Sequence, residues 1–435
     1  MESNNIKEIS RVVGGLKGEI RIPGDKSVSH RSVMLAGLAD KTVHITNFLR
    51  AADCLSTAAA MEALGVSVRW RDDTTLDVTG HGLEGLSEPA SVLDAGDSGT
   101  MLRLMLGLLA PQPFLSVFTG DAALHRRPMG RVITPLSQMG AHIAGRAGGK
   151  YLPLAVLPAK EPLHGITYRM PVASAQVKSA ILLAGLRADG ETAVIEPFPS
   201  RDHTERMLRA FGAEIKQDGL RVSCRAVKSL SAPETIEVPG DISSAAFWLV
   251  AASIVEGSDL VLRGVGVNPT RTGVLDVLRD MGARIDIMNE RESGGEPTAD
   301  LRVRSSRLRG VSFGGAIIPR LIDEIPVLAA AALFAEGDTT VTGAEELRVK
   351  ETDRLHAVAT EYNKLAPCVE ELADGLVIHG GAKLRHASCA SYDDHRMAMS
   401  LAVAGAAGDG VTIEGAGCVD ISYPEFYDTL ENLRG

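Results

Sequence analysis

A pattern of about 70 residues recurs six times along this chain, and it restricts the possible fold more than any other feature. In the first five copies an amphipathic helical pattern ends in an apolar residue followed by a small one, and a short β-rich run comes next; the sixth ends in Leu433-Arg434-Gly435. The ends fall at Leu64 in MEALGVSV, Met139 in PLSQMGAHI, Phe211 in MLRAFGAEI, Met281 in VLRDMGARI, Leu365 in YNKLAPCVEEL and Leu433 in TLENLRG. In the first four copies Gly65, Gly140, Gly212 and Gly282 stand where a helix closes through a left-handed residue, a conformation glycine adopts without steric cost. The fifth copy has Ala366-Pro367 instead, a different helix stop.

Between these ends runs a second kind of helix, seen in SHRSVMLAGLAD, SGTMLRLMLGLLA, SAQVKSAILLAGLRADG, SSAAFWLVAASIVEG, DEIPVLAAAALFAEG and DHRMAMSLAVAGAAGDG. These segments are rich in small residues and apolar on nearly every side, and β-branched runs such as TVHI, TAVI and TTVT follow them. Helices of this kind belong in an interior, with the amphipathic ones nearer the surface.

A coarser repeat groups the copies. Ile20-Arg21-Ile22-Pro23-Gly24-Asp25 matches Ile236-Glu237-Val238-Pro239-Gly240-Asp241, which divides six copies into two sets of three. The expectation is an α/β (α+β) chain with two similar domains, one of residues 24–239 and one of residues 1–23 plus 240–435, crossing near 23–24 and 239–240. The Pro-Gly pairs suit crossing points, because Pro fixes one torsion and Gly frees the next, and they suit ordinary strand-ending turns equally.

The 435 residues, 45% hydrophobic and 23% charged, suffice for two separate cores. A formal net charge of -10 opposes any general affinity for a nucleic-acid backbone, so an anionic ligand must be held by a local cluster. Met1 to Gly15 has no apolar core of signal-peptide length, and no later run approaches the roughly 18 residues that cross a bilayer. A cytoplasmic protein without membrane contact is expected. The five cysteines, Cys54, Cys224, Cys368, Cys389 and Cys418, form no CxxC pair and have no histidine at zinc-ligand spacing. They read as free thiols in a reducing compartment.

Basic and hydroxyl residues gather where the small-residue helices begin: Lys26, Ser27, Ser29, His30 and Arg31, then Ser98, Gly99, Thr100 and Arg103, then Ser174, Ala175, Gln176 and Lys178. A helix N-terminus with free N–H groups suits phosphate or carboxylate. Nearby turns add Arg126, Arg127 and Ser200-Arg201-Asp202-His203. In the second half Arg348-Val349-Lys350-Glu351-Thr352-Asp353-Arg354 sets Lys350 and Arg354 on one helix face, and Asp393-Asp394-His395-Arg396 precedes another small-residue helix. Any one such cluster is an ordinary solvated surface; their recurrence at equivalent points of a repeat indicates a ligand with two or more anionic groups.

Through PGDKSVSHRS, LDAGDSGTMLRLM, HRRPMGRV, PVASAQVKSAILLAGL, SRDHTERM, RVKETDRL and DDHRMAM the chain resembles the 5-enolpyruvylshikimate-3-phosphate (EPSP) synthase family, from about residue 10 to the end. The HRRPM and SAQVK versions are similar to the second class of that family, whose bacterial members are often less sensitive to the phosphonate glyphosate. The resemblance implies two domains of three βαβαββ units each, with helices inside in an inside-out barrel and ligands in a cleft between domains. It implies transfer of the enolpyruvyl group of phosphoenolpyruvate to the 5-hydroxyl of shikimate-3-phosphate, on the route to aromatic amino acids.

By motif match the resemblance gives phosphoenolpyruvate to Lys26, Asp97, Gly99, Arg127, Gln176, Arg354 and Arg396. It gives shikimate-3-phosphate to Lys26, Ser27, Arg31, Ser174, Ala175, Gln176, Arg201, Asp323 and Lys350. Asp323 is the expected base at the ring hydroxyl, with Lys26 and Glu351 sharing proton transfer at the methylene carbon. No metal or cofactor enters this scheme: adjacent residues such as Asp393, Asp394 and His395 rarely all point at one ion. The expected partners are two small molecules, with no nucleic acid or membrane, and the chain is expected to act as a monomer.

Three departures from the family pattern stand out. Asp97 replaces the usual Asn, exchanging a neutral donor for a carboxylate that repels an anionic ligand. Met101 adds bulk one position past a helix start, and Ile421 falls where many relatives of the other class carry a lysine. The closest rival reading is the related transferase that acts on UDP-N-acetylglucosamine, which carries a reactive cysteine in the loop before the phosphoenolpyruvate arginine; Gly120 to Pro128 contains none. A non-catalytic anion-binding protein is a second rival, disfavoured by the presence of Lys26, Asp323 and Glu351. Phosphoryl transfer is disfavoured by the lack of a GxxxxGK[ST] loop.

Overall fold

The computed structural model describes residues 5–435. Two compact units emerge. One contains Gly24–Pro239 together with Glu292–Glu296; the other contains the described residues up to Pro23, Gly240–Arg291 and Pro297–Gly435. They are called here the 24–239 unit and the 240–435 unit.

Each unit holds three sheets on one plan. Leu93–Asp94 lies parallel to Ser116–Thr119, which pairs antiparallel with Tyr151–Val156, and that strand pairs antiparallel with Ile143–Gly145. The chain order is βαβαββ because a parallel partner requires a long crossover, supplied by a helix, whereas an antiparallel partner requires only a turn. Two sheets take their parallel strand from far away in sequence. Thr235–Glu237 lies beside Thr42–Thr46, and Lys17–Arg21 lies beside Asp259–Gly266. Ile6–Ile9 pairs antiparallel with Val411–Glu414 to complete a three-stranded sheet.

The small-residue segments are the interior helices: Lys26–Gly37, Gly99–Leu109 and Ala175–Gly185 in one unit, Ile242–Ile254, Ile325–Leu333 and His395–Ala407 in the other. Their small residues allow close contact between backbones. At Gly107 a Cβ would lie 2.2 Å from the carbonyl oxygen of Ala180 on the neighbouring helix, so no side chain fits there. The amphipathic helices cover the outside and end where the pattern places them, with Leu64, Met139, Phe211, Met281 and Leu433 as C-caps and Leu365 as a last helical residue. Gly65, Gly140, Gly212 and Gly282 all take positive φ.

The six sheets are hydrogen-bonded separately, and among the described residues no closed barrel forms. Five of the six sets of strands end in their own hairpin, the sixth takes Ile6–Ile9 instead, and each next copy opens behind a new interior helix, so strands of successive copies do not pair.

A long hairpin, Arg284–Ser293 and Glu296–Arg304, starts and ends in the 240–435 unit, while its tip, Glu292–Glu296, belongs to the other. The Ser293 hydroxyl accepts from the Glu237 amide at 2.8 Å. Gly295, at positive φ, lies so near the Arg206 carbonyl that a Cβ would come within 2.6 Å of its oxygen. Glu296 meets His203 at 2.8 Å, both buried. Among the described residues no helix is long and apolar enough to cross a membrane.

Candidate active site

In the 24–239 unit most candidate residues sit at the starts of the interior helices, each capped by a side chain that fixes its first turn, while Arg127 and Arg201 lie in connecting segments. Asp25 accepts from the Val28 amide at 2.9 Å, Ser98 from Met101 at 3.2 Å and Ser174 from Val177 at 3.4 Å. Hydrogen bonds tie the three starts together. Arg31, almost fully buried, donates to the Thr204 hydroxyl at 2.7 Å, the Ser179 hydroxyl at 2.9 Å and the Ser27 carbonyl at 2.9 Å. Arg103 donates to the Gln176 side-chain oxygen, and the Gln176 amide reaches the Thr100 hydroxyl at 2.9 Å. Burial, reinforced by the charges of Arg127 and Arg131, lowers the Arg103 guanidinium to about 10.

Gly99 shows why this helix starts without a side chain. A Cβ there would lie 2.9 Å from one Nη of Arg103 and 3.6 Å from one Nη of Arg127, so glycine lets both guanidinium groups close on the helix N-terminus. Helix dipole and two cations thus converge on one spot, the arrangement that holds an anion. Asp97 stands at the same spot, its carboxylate 3.2 Å from Arg127. Lys26 pairs with Asp53 on the adjacent amphipathic helix. Arg201 is half-buried, and its charge is felt at Arg31, whose guanidinium is lowered to about 10 chiefly by burial.

Several residues grouped by sequence as anion donors have other partners. Lys178 is buried, 2.7 Å from Glu196 and 2.7 Å from Glu205, both also buried. Burial opposes its charge, and the two carboxylates outweigh that and raise its pKa. The Ser29 hydroxyl accepts from the Leu49 amide, and the His30 ring bonds the Thr57 hydroxyl at 2.6 Å. These three side chains brace the interior. Met101 is wholly buried in the core.

In the 240–435 unit the site forms around Arg354. This buried guanidinium donates to Asp394 at 2.7 and 3.2 Å, to Glu351 at 2.7 Å and to Asp323 at 3.3 Å. Lys350 lies 3.4 Å from the same Asp323 oxygen, so the candidate base sits between two cations. Burial pushes the Glu351 carboxyl up, but the Arg354 charge outweighs it and holds the group below the usual carboxylate range. Burial first, then the neighbouring Arg396 charge, keeps His395 neutral. Arg348, by contrast, is bound to Asp353 and Glu371.

Arg396 follows a strained turn. Tyr392 and Asp393 both take left-handed φ, 58° and 55°, and the Asp394 amide closes the turn on the Ser391 carbonyl at 3.0 Å. Such a turn normally selects Asn or Gly, so its residues are held by their surroundings. The Tyr392 hydroxyl donates to the buried Glu361 at 2.7 Å. Asp394 then caps the helix through the Arg396 amide at 2.9 Å, while its carboxylate binds Arg354. Those commitments make Asp394 unsuited to a metal.

Sequence reasoning missed Asp53, Thr204, Ser179 and Glu324, which contact the candidate residues from behind. Asp53 carried one weak signal, an acid in the first turn of an alanine-rich helix. The others look like ordinary helix residues until folding brings them beside an arginine.

The architecture is that of the enolpyruvyl transferases. The enolpyruvyl transferase NikO from Streptomyces tendae matches 99% of this chain and 98% of its own at TM-score 0.78; at 19% identity this is a likeness of fold alone. The EPSP synthase from Acinetobacter baumannii matches at TM-score 0.92 and 44% identity, over 99% of this chain and 98% of that one. A family model described as EPSP synthase (3-phosphoshikimate 1-carboxyvinyltransferase) matches residues 11–430. A 3-phosphoshikimate 1-carboxyvinyltransferase from Desulforudis audaxviator is 56% identical over 421 residues, 97% of each chain. The chain belongs to the EPSP synthase family.

Proposed function

We propose that this chain transfers the enolpyruvyl group of phosphoenolpyruvate to the 5-hydroxyl of shikimate-3-phosphate and releases phosphate, the activity of a 3-phosphoshikimate 1-carboxyvinyltransferase in the shikimate route. The observation that carries this reading is the Asp323 carboxylate held between Lys350 and Arg354 with Glu351 on the same arginine. Two cations on one carboxylate oxygen fix the position of the group, and geometry is the first requirement for proton abstraction from an alcohol.

Asp323 takes the proton of the 5-hydroxyl as its oxygen bonds to C2 of phosphoenolpyruvate, and C3 gains a proton from the Lys26 ammonium. Glu351, already ionised, then removes a proton from the new methyl group as the bond from C2 to the phosphate oxygen breaks. The proton lost overall from the hydroxyl leaves with phosphate, and the proton taken by Glu351 restores Lys26 for the next cycle. Arg127, Arg354, Arg396, Gln176 and the Gly99 helix start hold phosphoenolpyruvate, with Asp97 tempering them. Ser27, Arg31, Ser174, Ala175, Gln176, Arg201 and Lys350 serve shikimate-3-phosphate. Fixed charges of this kind stabilise the developing charge without reorganising.

The test is to mix purified protein with both substrates and follow inorganic phosphate together with the phosphorus NMR spectrum. Phosphate release with a new enol ether signal is expected. Silence with shikimate-3-phosphate but turnover with UDP-N-acetylglucosamine would replace this reading.

A further inference from the structure

Directly after Asp323 comes Glu324, whose side chain is fully buried and has no place in the scheme above. One of its oxygens accepts from the Ser243 hydroxyl; the other is buried without a hydrogen-bond partner. Ser243 in turn accepts from the buried Arg271 at 2.7 Å, and Arg271 reaches Asp241 at 3.2 Å. The same oxygen that Ser243 bonds also faces Arg396, with an Nη at 3.8 Å, and that Nη reaches the Asp323 carbonyl at 3.4 Å. A carboxylate withdrawn from water is costly unless cations offset it, so Glu324 attracts Arg396 strongly while the Ser243–Arg271 pair fixes Glu324 itself. Both protein anchors of the Arg396 Nη therefore come from the dipeptide that carries the proposed base.

We propose that Glu324 is a positioning residue that sets the Arg396 guanidinium for phosphoenolpyruvate and ties its place to that of Asp323. This rests on the assignment of Arg396 to phosphoenolpyruvate. A carboxylate here holds Arg396 by charge, a function that hydrogen-bonding to Ser243 alone does not supply. Misplacing one binding cation affects the ligand it holds and spares the other substrate.

The experiment measures steady-state kinetics of the full chain for Glu324→Gln, Glu324→Asp and Arg396→Lys, with melting temperatures alongside. Glu324→Gln keeps an acceptor for Ser243 and removes the charge; it is expected to raise KM for phosphoenolpyruvate about tenfold and leave KM for shikimate-3-phosphate within about twofold. Glu324→Asp keeps the charge but draws it back from Arg396, and it should give a smaller rise of the same selectivity, a readout that also serves if the Gln variant does not fold. If Arg396→Lys raises KM for phosphoenolpyruvate while both Glu324 variants leave it at the parent value, the positioning role is wrong. An unchanged KM in Arg396→Lys would instead overturn the site assignment beneath it.

Discussion

The Asp97 carboxylate lies 3.2 Å from the guanidinium of Arg127, and the Asp97 backbone carbonyl accepts from the same side chain at 3.4 Å. An anion that comes to Arg127 must compete with a carboxylate already there. Removing that charge in Asp97→Asn frees the arginine and ends the repulsion. KM for phosphoenolpyruvate should fall about three- to tenfold, in keeping with a partly exposed pair worth about 1 kcal/mol. Inhibition by glyphosate should strengthen in the same variant. Equal constants for parent and variant in both assays would refute the competition.

The division of labour between Lys26 and Glu351 is open to single-turnover kinetics. Arg354 keeps Glu351 ionised, so Glu351 begins the cycle able to accept a proton and unable to give one. Glu351→Gln should let addition proceed and slow elimination about a hundredfold, so that a tetrahedral intermediate accumulates. Lys26→Met should slow addition itself and accumulate nothing. Accumulation in the Lys26 variant would reverse the assignment.

Lys178 makes a stability prediction. Lys178→Met would leave Glu196 and Glu205 buried without their shared ion-pair partner, and denaturant unfolding should show a loss of about 3–5 kcal/mol. Adding Glu196→Gln and Glu205→Gln to that variant should recover much of it. A single variant as stable as the parent would show that water reaches these carboxylates.

Acid stability should depend on His395. Its folded pKa lies below the unfolded value of about 6.5, so nothing is lost above that pH. As pH falls below about 6.5 the unfolded chain binds a proton that the folded chain refuses, and stability drops by up to about 1.4 kcal/mol per pH unit. His395→Gln should therefore lose less melting temperature than the parent between about pH 7 and 5. His30, also buried and held neutral, keeps some of the slope in the variant. Identical slopes for the two proteins would exclude His395 as a source.

The helix ends and the interior character of six helices were legible because both follow from local composition: a glycine such as Gly212 at a positive φ, or a segment such as DEIPVLAAAALFAEG with no polar face. The fate of individual polar residues was not. Lys178 and Gln176 stand two apart on one helix, yet one is buried between two glutamates and the other bonds Arg103 and Thr100. A helix turns about 100° per residue, so neighbours in a motif face different surroundings, and only the packing of distant segments decides which face meets ligand. Glu324 stayed hidden for the same reason, since its partners Ser243 and Arg396 lie far away in sequence.

The hairpin tip bears on how such a chain can be divided. A polypeptide cut to residues 24–239 would carry all the strands of its three sheets and all three interior helices, yet it would lack Glu296 and leave His203 without its acid. A cut at residues 24 and 239 therefore leaves out the five-residue tip that packs with this unit. Shortening the 284–304 hairpin would remove residues 292–296, which pack with residues 24–239.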